Sequence, residues 1–125
     1  MDHYSLEDLE VYKLSMEIAD EIWDDVLKWA HFPKFTLGEQ LIEAADSIAF
    51  NISEGYGRYS YKENIHFCYI SRGSLFETKT GIKKALNRKL ICKARFDFLL
   101  DKITELLLKL NSYINYLKRQ SNAKA

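Results

Sequence analysis

The sequence predicts an all-α fold, an up-down-up-down antiparallel four-helix bundle in a single domain, on three observations. Apolar residues recur at alternating steps of three and four along most of the 125-residue chain, the spacing that lines one face of a helix. One proline and five glycines leave too few turn-formers for a many-stranded β fold. Three short connections divide the periodic segments into four helices, and short joins make sequential helices antiparallel neighbours.

The first helix is expected over 5–30. Leu9, Tyr12, Met16, Ala19, Trp23, Val26 and Ala30 would form its buried stripe, with Ser5 as N-cap and Glu7 and Asp8 suited to the positive end of the helix dipole. His31-Phe32-Pro33 should end it, because proline lacks an N–H and disfavours helical backbone at the residue before it. The second helix is expected over 36–55. Thr36-Leu37-Gly38-Glu39 has the capping-box form, Leu37, Leu41, Ala44, Ala45, Ile48 and Ile52 supply the apolar face, and Gly55 suits a left-handed C-terminal cap. The third is expected over 60–88, opened by a second box at Ser60-Tyr61-Lys62-Glu63, with Ile65, Tyr69, Leu75, Phe76 and Ile82 turned inward. Phe96, Leu99, Ile103, Leu106, Leu110, Tyr113 and Leu117 define a fourth helix over 94–118, leaving 119–125 as a frayed tail.

Composition narrows the function classes. Hydrophobic residues make up 47% and charged residues 29%, as in soluble globular domains. No run reaches the roughly 18 apolar residues of a membrane span. The acidic, polar start is unlike a signal peptide, so a cytoplasmic location without membrane contact is expected. Cys68 and Cys92 are isolated and read as reduced thiols, and Asn51-Ile52-Ser53 would not be glycosylated in such a compartment. Residues 1–57 hold 13 Asp/Glu against 3 Lys/Arg, whereas residues 58–125 hold 5 against 15. The halves could neutralise each other within one fold or between neighbouring copies.

The stretch NISEGYGRYS, residues 51–60, tests whether the chain is an enzyme. Its glycines lie between two helices and lack the strand and Lys-Ser/Thr pair of a phosphate loop, so it reads as the turn of an αα-hairpin. Residues facing each other across that hairpin should have numbers summing to about 117. Ala44 and Ala45 would then meet Arg72 and Gly73 in a close contact of small residues beside Ser74, and Gln40 would pair with Glu77. Asn51 would face His66 and Glu54 would face Glu63, with Arg58 compensating the carboxylates. A polar network that locks the hairpin is the simplest role for these residues.

Gln40, Ser47-Ile48, Asn51-Ile52, Glu54-Gly55 and Arg58, followed by Gly73-Ser74 and Glu77, resemble the pattern of a known four-helix bundle family. That family is encoded in intervening sequences of bacterial ribosomal RNA genes and is also labelled a ribosomal S-type protein. Leu6, Leu9, Val11-Tyr12 and Phe32-Pro33 extend the similarity over nearly the whole chain. The chain departs from the pattern at Glu43 and Asp46, acidic where small or basic residues are usual. The resemblance implies a small cytoplasmic bundle that assembles as a cyclic homopentamer and has no attributed enzymatic activity. A similar fold serves as the accessory protein of diversity-generating retroelements, where a basic pentamer binds nucleic acid and a reverse transcriptase.

Tests for chemistry fail on the residues. Glu63-x-x-His66 has the form of half a di-iron set, but no second histidine-bearing half exists, so no metal or other cofactor is expected. Cys68 and His66 point to different helix faces, and Ser74 and Glu77 have no histidine at their level, so no catalytic residues are assigned. Lys79, Lys83, Lys84, Arg88, Lys89, Lys93 and Arg95 remain, a run without an acid that could hold phosphate backbones. Two readings follow. One is a self-assembling ring whose basic rim engages RNA, DNA or a nucleic-acid-bound protein, with Trp29, Phe32 and Phe35 as apolar contacts between copies. The other is a structural or protein-interaction scaffold without nucleic-acid affinity, which overall neutrality favours.

Overall fold

The computed structural model describes residues 5–123, and all regular structure among them is helical. A 3-10 turn at Leu6–Asp8 is held by the Asp8 carboxylate, which accepts from the Ser5 N–H at 3.2 Å and the Ser5 hydroxyl at 3.0 Å. Leu9 is extended (φ −71°, ψ 123°), and helix α1 then runs Glu10–Leu27. Ser5 therefore closes a separate turn, and the single helix expected over 5–30 is shorter at both ends.

The first break comes at Ala30, extended at ψ 163°, and not at Pro33. A helical turn His31–Pro33, a π-helical segment Lys34–Gly38 and an α-helix Glu39–Tyr56 continue without interruption and together form α2 (31–56). Pro33 opens this helix instead of ending the previous one. In a first turn its missing N–H forfeits no intrahelical bond, and its φ of −64° is already helical. Thr36, expected as the N-cap, lies inside α2 and donates its hydroxyl to the Phe32 carbonyl at 2.7 Å.

Helix α3 runs Tyr61–Asn87 and α4 runs Lys93–Ala123. Ser60 caps α3, accepting from the Glu63 N–H at 3.1 Å and donating to its carboxylate at 3.2 Å. The other end of α3 closes with a Schellman turn. Leu90 N–H donates to the Ala85 carbonyl at 2.8 Å and Lys89 N–H to the Leu86 carbonyl at 3.0 Å, with Lys89 left-handed at φ 61°. Residues 119–123, expected to fray, are helical, while 124 and 125 lie outside the described residues.

Each helix packs on its sequence neighbours and α1 also packs on α4, which closes the four-helix bundle as a single domain. On α4 the expected stripe is the buried one, except that Tyr113 is half-buried and Ile114 joins the core. On α1 the core stripe is Val11, Leu14, Ser15, Ile18, Ala19, Ile22 and Val26. Of the residues expected there, Met16 is 42% and Trp23 is 50% exposed. The helix carries two apolar stripes roughly 100° apart, and the branched aliphatic one wins the interior. On α3, Tyr69 and Phe76 likewise face outward, while Leu75 and Ile82 are buried.

Part of the charge asymmetry is resolved within the chain. Lys109 pairs with Glu10, Lys102 with Glu17, and Arg95 with Glu21 at 2.9 Å and Asp25 at 3.0 Å. The α4 cations are spaced by seven residues, so one ladder of ion pairs runs along the antiparallel α1–α4 seam. Burial works against the Arg95 charge, but the hydrogen bonds it donates to Asp25 and Glu21 outweigh it and its pKa rises.

Candidate functional site

The family-motif residues separate into two clusters and several singletons. At the turn, Arg58 bridges Glu54 at 3.1 Å and Glu63 at 3.7 Å, and its guanidinium lies 4.7 Å from the centre of the Phe67 ring. Both carboxylates are about half exposed, which limits the electrostatic gain to roughly 1 kcal/mol or less. Deeper in the hairpin, Asn51 donates to the Ser47 carbonyl at 2.8 Å and hydroxyl at 2.9 Å, and the Ser47 and Ser74 hydroxyls meet at 2.9 Å. Asn51 thus reaches α3 through Ser47 and Ser74, not through His66, which is exposed.

The hairpin register differs from the expected one. Ser47 meets Ser74, Ser71 donates to the Ile48 carbonyl at 2.8 Å, and Gly81 faces Leu41, so facing numbers sum to between 119 and 122. Gly55 permits this approach. It is helical, with no left-handed glycine among the described residues, and a Cβ there would lie 2.6 Å from Asn64 Oδ1 and 3.0 Å from the Phe67 Cβ. Gly73, expected in a close contact with Ala44 and Ala45, faces open space. Gln40 and Glu77, expected to pair, are both exposed and make no hydrogen bond to each other. Gln40 instead shares a groove with Lys84 and Arg88.

Several polar residues of the interior lie outside the motif. Asn64 donates to the Tyr113 hydroxyl at 3.2 Å, Thr78 to the Ser74 carbonyl at 2.8 Å, and Arg72 to Asn111 at 2.9 Å. Asn64, Cys68, Ser71, Leu75 and Thr78 recur at helical spacing, a small and polar stripe that marks the inward face of α3 in the sequence itself. Every buried side-chain nitrogen and oxygen among the described residues has a partner. Burial pushes the Cys68 thiol up to about 12, which makes it a core group and not a nucleophile.

The basic run divides in two. Lys93 pairs with Asp97, and Arg95 is committed to the α1 seam. Lys79, Lys83, Lys84, Arg88 and Lys89 are exposed on the C-terminal third of α3 and its cap, with no acidic partner among the described residues. Trp29, expected as a contact between copies, is in the core at 8% exposure, while Phe32 and Phe35 are exposed.

A second surface lies between α1 and α2. Tyr12, Met16, Ala19 and Asp20 face Asp46, Ala49, Phe50 and Ser53 across an open groove. Burial, with the Asp20 charge as the second cause, holds the Asp46 carboxyl above its ordinary range. No helix among the described residues is long and apolar enough to cross a membrane.

A polar hairpin, a cationic helix tip and outward apolar residues are the surface features of a helical-bundle protein. The chain belongs to the 23S rRNA-intervening sequence protein family, whose model matches residues 7–112. A crystal structure of a protein of unknown function from the S23 ribosomal protein family of Bacteroides thetaiotaomicron VPI-5482 has the same fold, with a TM-score of 0.77 at 23% identity. The match covers 83% of this chain and 97% of that one. No curated protein matches the chain. Neither similarity names an enzymatic activity.

Proposed function

We propose that this protein is a non-enzymatic, cytoplasmic, self-assembling bundle whose α3 tip binds the phosphate backbone of RNA or DNA. The carrying observation is the contrast between two sets of cations. Arg95, Lys102 and Lys109 are neutralised along the α1 seam, whereas Lys79, Lys83, Lys84, Arg88 and Lys89 have no acid beside them. Five uncompensated cations on one tip attract a polyanion whatever its sequence, and counterion release makes such binding steeply salt-dependent. Assembly into a ring, five-membered by the family resemblance, would repeat the tip around one rim. The outward apolar residues Met16, Trp23 and Phe50 support assembly, because apolar area of this kind is normally covered.

Fluorescence anisotropy with labelled RNA and DNA at low salt tests the reading. Affinity should fall with salt at a logarithmic slope of about −4 for a fully engaged tip, and the triple substitution Lys83/Lys84/Lys89→Glu should abolish it. A species near 14.7 kDa by light scattering would contradict self-assembly. Assembly without any low-salt retention would favour the second reading, a protein-interaction scaffold. The α1–α2 groove, apolar with two unpaired acids, is the observation on that side.

A further inference from the structure

We infer that the groove between the start of α2 and the end of α3 is a single-strand site, in which the Phe32 ring stacks a nucleobase while Lys84 and Arg88 hold the adjoining phosphates. The inference rests on the proposed backbone binding and names the form of nucleic acid that this tip selects. The groove, about 600 Å³, is lined by Phe32, Thr36, Leu37, Gln40, Lys84 and Arg88, residues that the sequence separates by up to 56 positions and the hairpin brings together.

Its chemistry is that of a stacking platform with a cationic rim. Phe32 is 76% exposed, more than any other phenylalanine in the chain, and presents an apolar face that every base can stack on. The backbone beneath the ring is fixed: the Thr36 hydroxyl donates to the Phe32 carbonyl at 2.7 Å, and Pro33 follows in the first turn of α2. Lys84 and Arg88 stand one helical turn apart on the same face of α3, and no acid lines the groove. The Gln40 amide, without a hydrogen bond among the described residues, is available to a base edge. A duplex stacks its bases on each other and offers this groove only phosphates, so the site should distinguish single strands from duplexes.

The test compares three labelled ligands of equal length at one salt concentration: oligodeoxyadenylate, an abasic deoxyribose-phosphate chain and a DNA duplex. The wild-type protein should bind the single strand about tenfold more tightly than the abasic chain. Phe32→Ala should remove that preference with the abasic affinity unchanged, and Phe32→Trp should keep it. Circular dichroism and light scattering of the variants accompany the comparison. Equal affinity for the strand and the abasic chain, or a preference that survives Phe32→Ala, would overturn the stacking site while backbone binding stands. A changed assembly mass in Phe32→Ala would assign the ring to a contact between copies and also overturn it. Absence of binding to all three ligands would remove the backbone reading itself.

Discussion

Lys89 holds the one positive φ recorded among the described non-glycine residues, at the position after the cap of α3 where glycine is usual. A side chain with a Cβ is strained there by about 1 kcal/mol, the clash of Cβ with the following carbonyl. Lys89→Gly should therefore raise stability by only about 0.5 kcal/mol in urea denaturation, the strain relieved less the freedom glycine gains in the unfolded chain. The same substitution removes one of the five unpaired cations, so stability and nucleic-acid affinity should move in opposite directions. A variant with a lowered midpoint would show that the strain of the turn is smaller than the freedom glycine gains in the unfolded chain. Nothing in the local sequence announces this turn, because it carries no glycine. At Gly55 the error ran the other way, since a glycine near a helix end suggests a left-handed cap when its role is to let Asn64 and Phe67 approach.

At the scale of the helices, the box at Ser60 was legible because side chain and backbone satisfy each other within four residues. The start of α2 was not. Pro33 breaks a helix or opens one depending on which side the chain turns, and the turn falls at Ala30, where no residue type marks it. The glycines of α2 and α3 give a paired prediction. Gly55→Ala would place its Cβ against Asn64 and should destabilise by about 1–3 kcal/mol, as overpacking does. Gly73→Ala meets nothing within 4 Å on an exposed helix face and should stabilise by about 0.5–1 kcal/mol through helix propensity. Thermal melts of the two variants check this, and shifts of the same sign would contradict the α2–α3 register. The family motif contains both glycines, yet sequence spacing alone could not say which one faces a neighbour.

Across the whole molecule, charge is placed by the packing of helices remote in sequence. Arg95 counted as part of a basic patch until α4 packed beside α1, where Glu21 and Asp25 take it up. Asp46 is left without a cation in the α1–α2 groove, and its raised pKa gives a test of sign. The folded protomer binds this proton more readily than the unfolded chain. The group's contribution to stability is therefore greatest below the ordinary 3.8 and is lost as pH rises through the elevated native value. Asp46→Asn should raise the denaturation midpoint of the dilute protomer at neutral pH and lose that advantage below pH 3.8. An equal gain at both pH values would mean that charge burial is not the cause. By itself, the sequence determined the helical class, the four segments, the α4 core stripe, the Ser60 cap and the family, because each of these is written in local spacing or in residue identity. Only the tertiary structure decided which of two apolar stripes on α1 is buried, which cations remain unpaired and which aromatic ring stands beside them. Those outcomes depend on the register between helices, where a shift approaching one turn changes every partner.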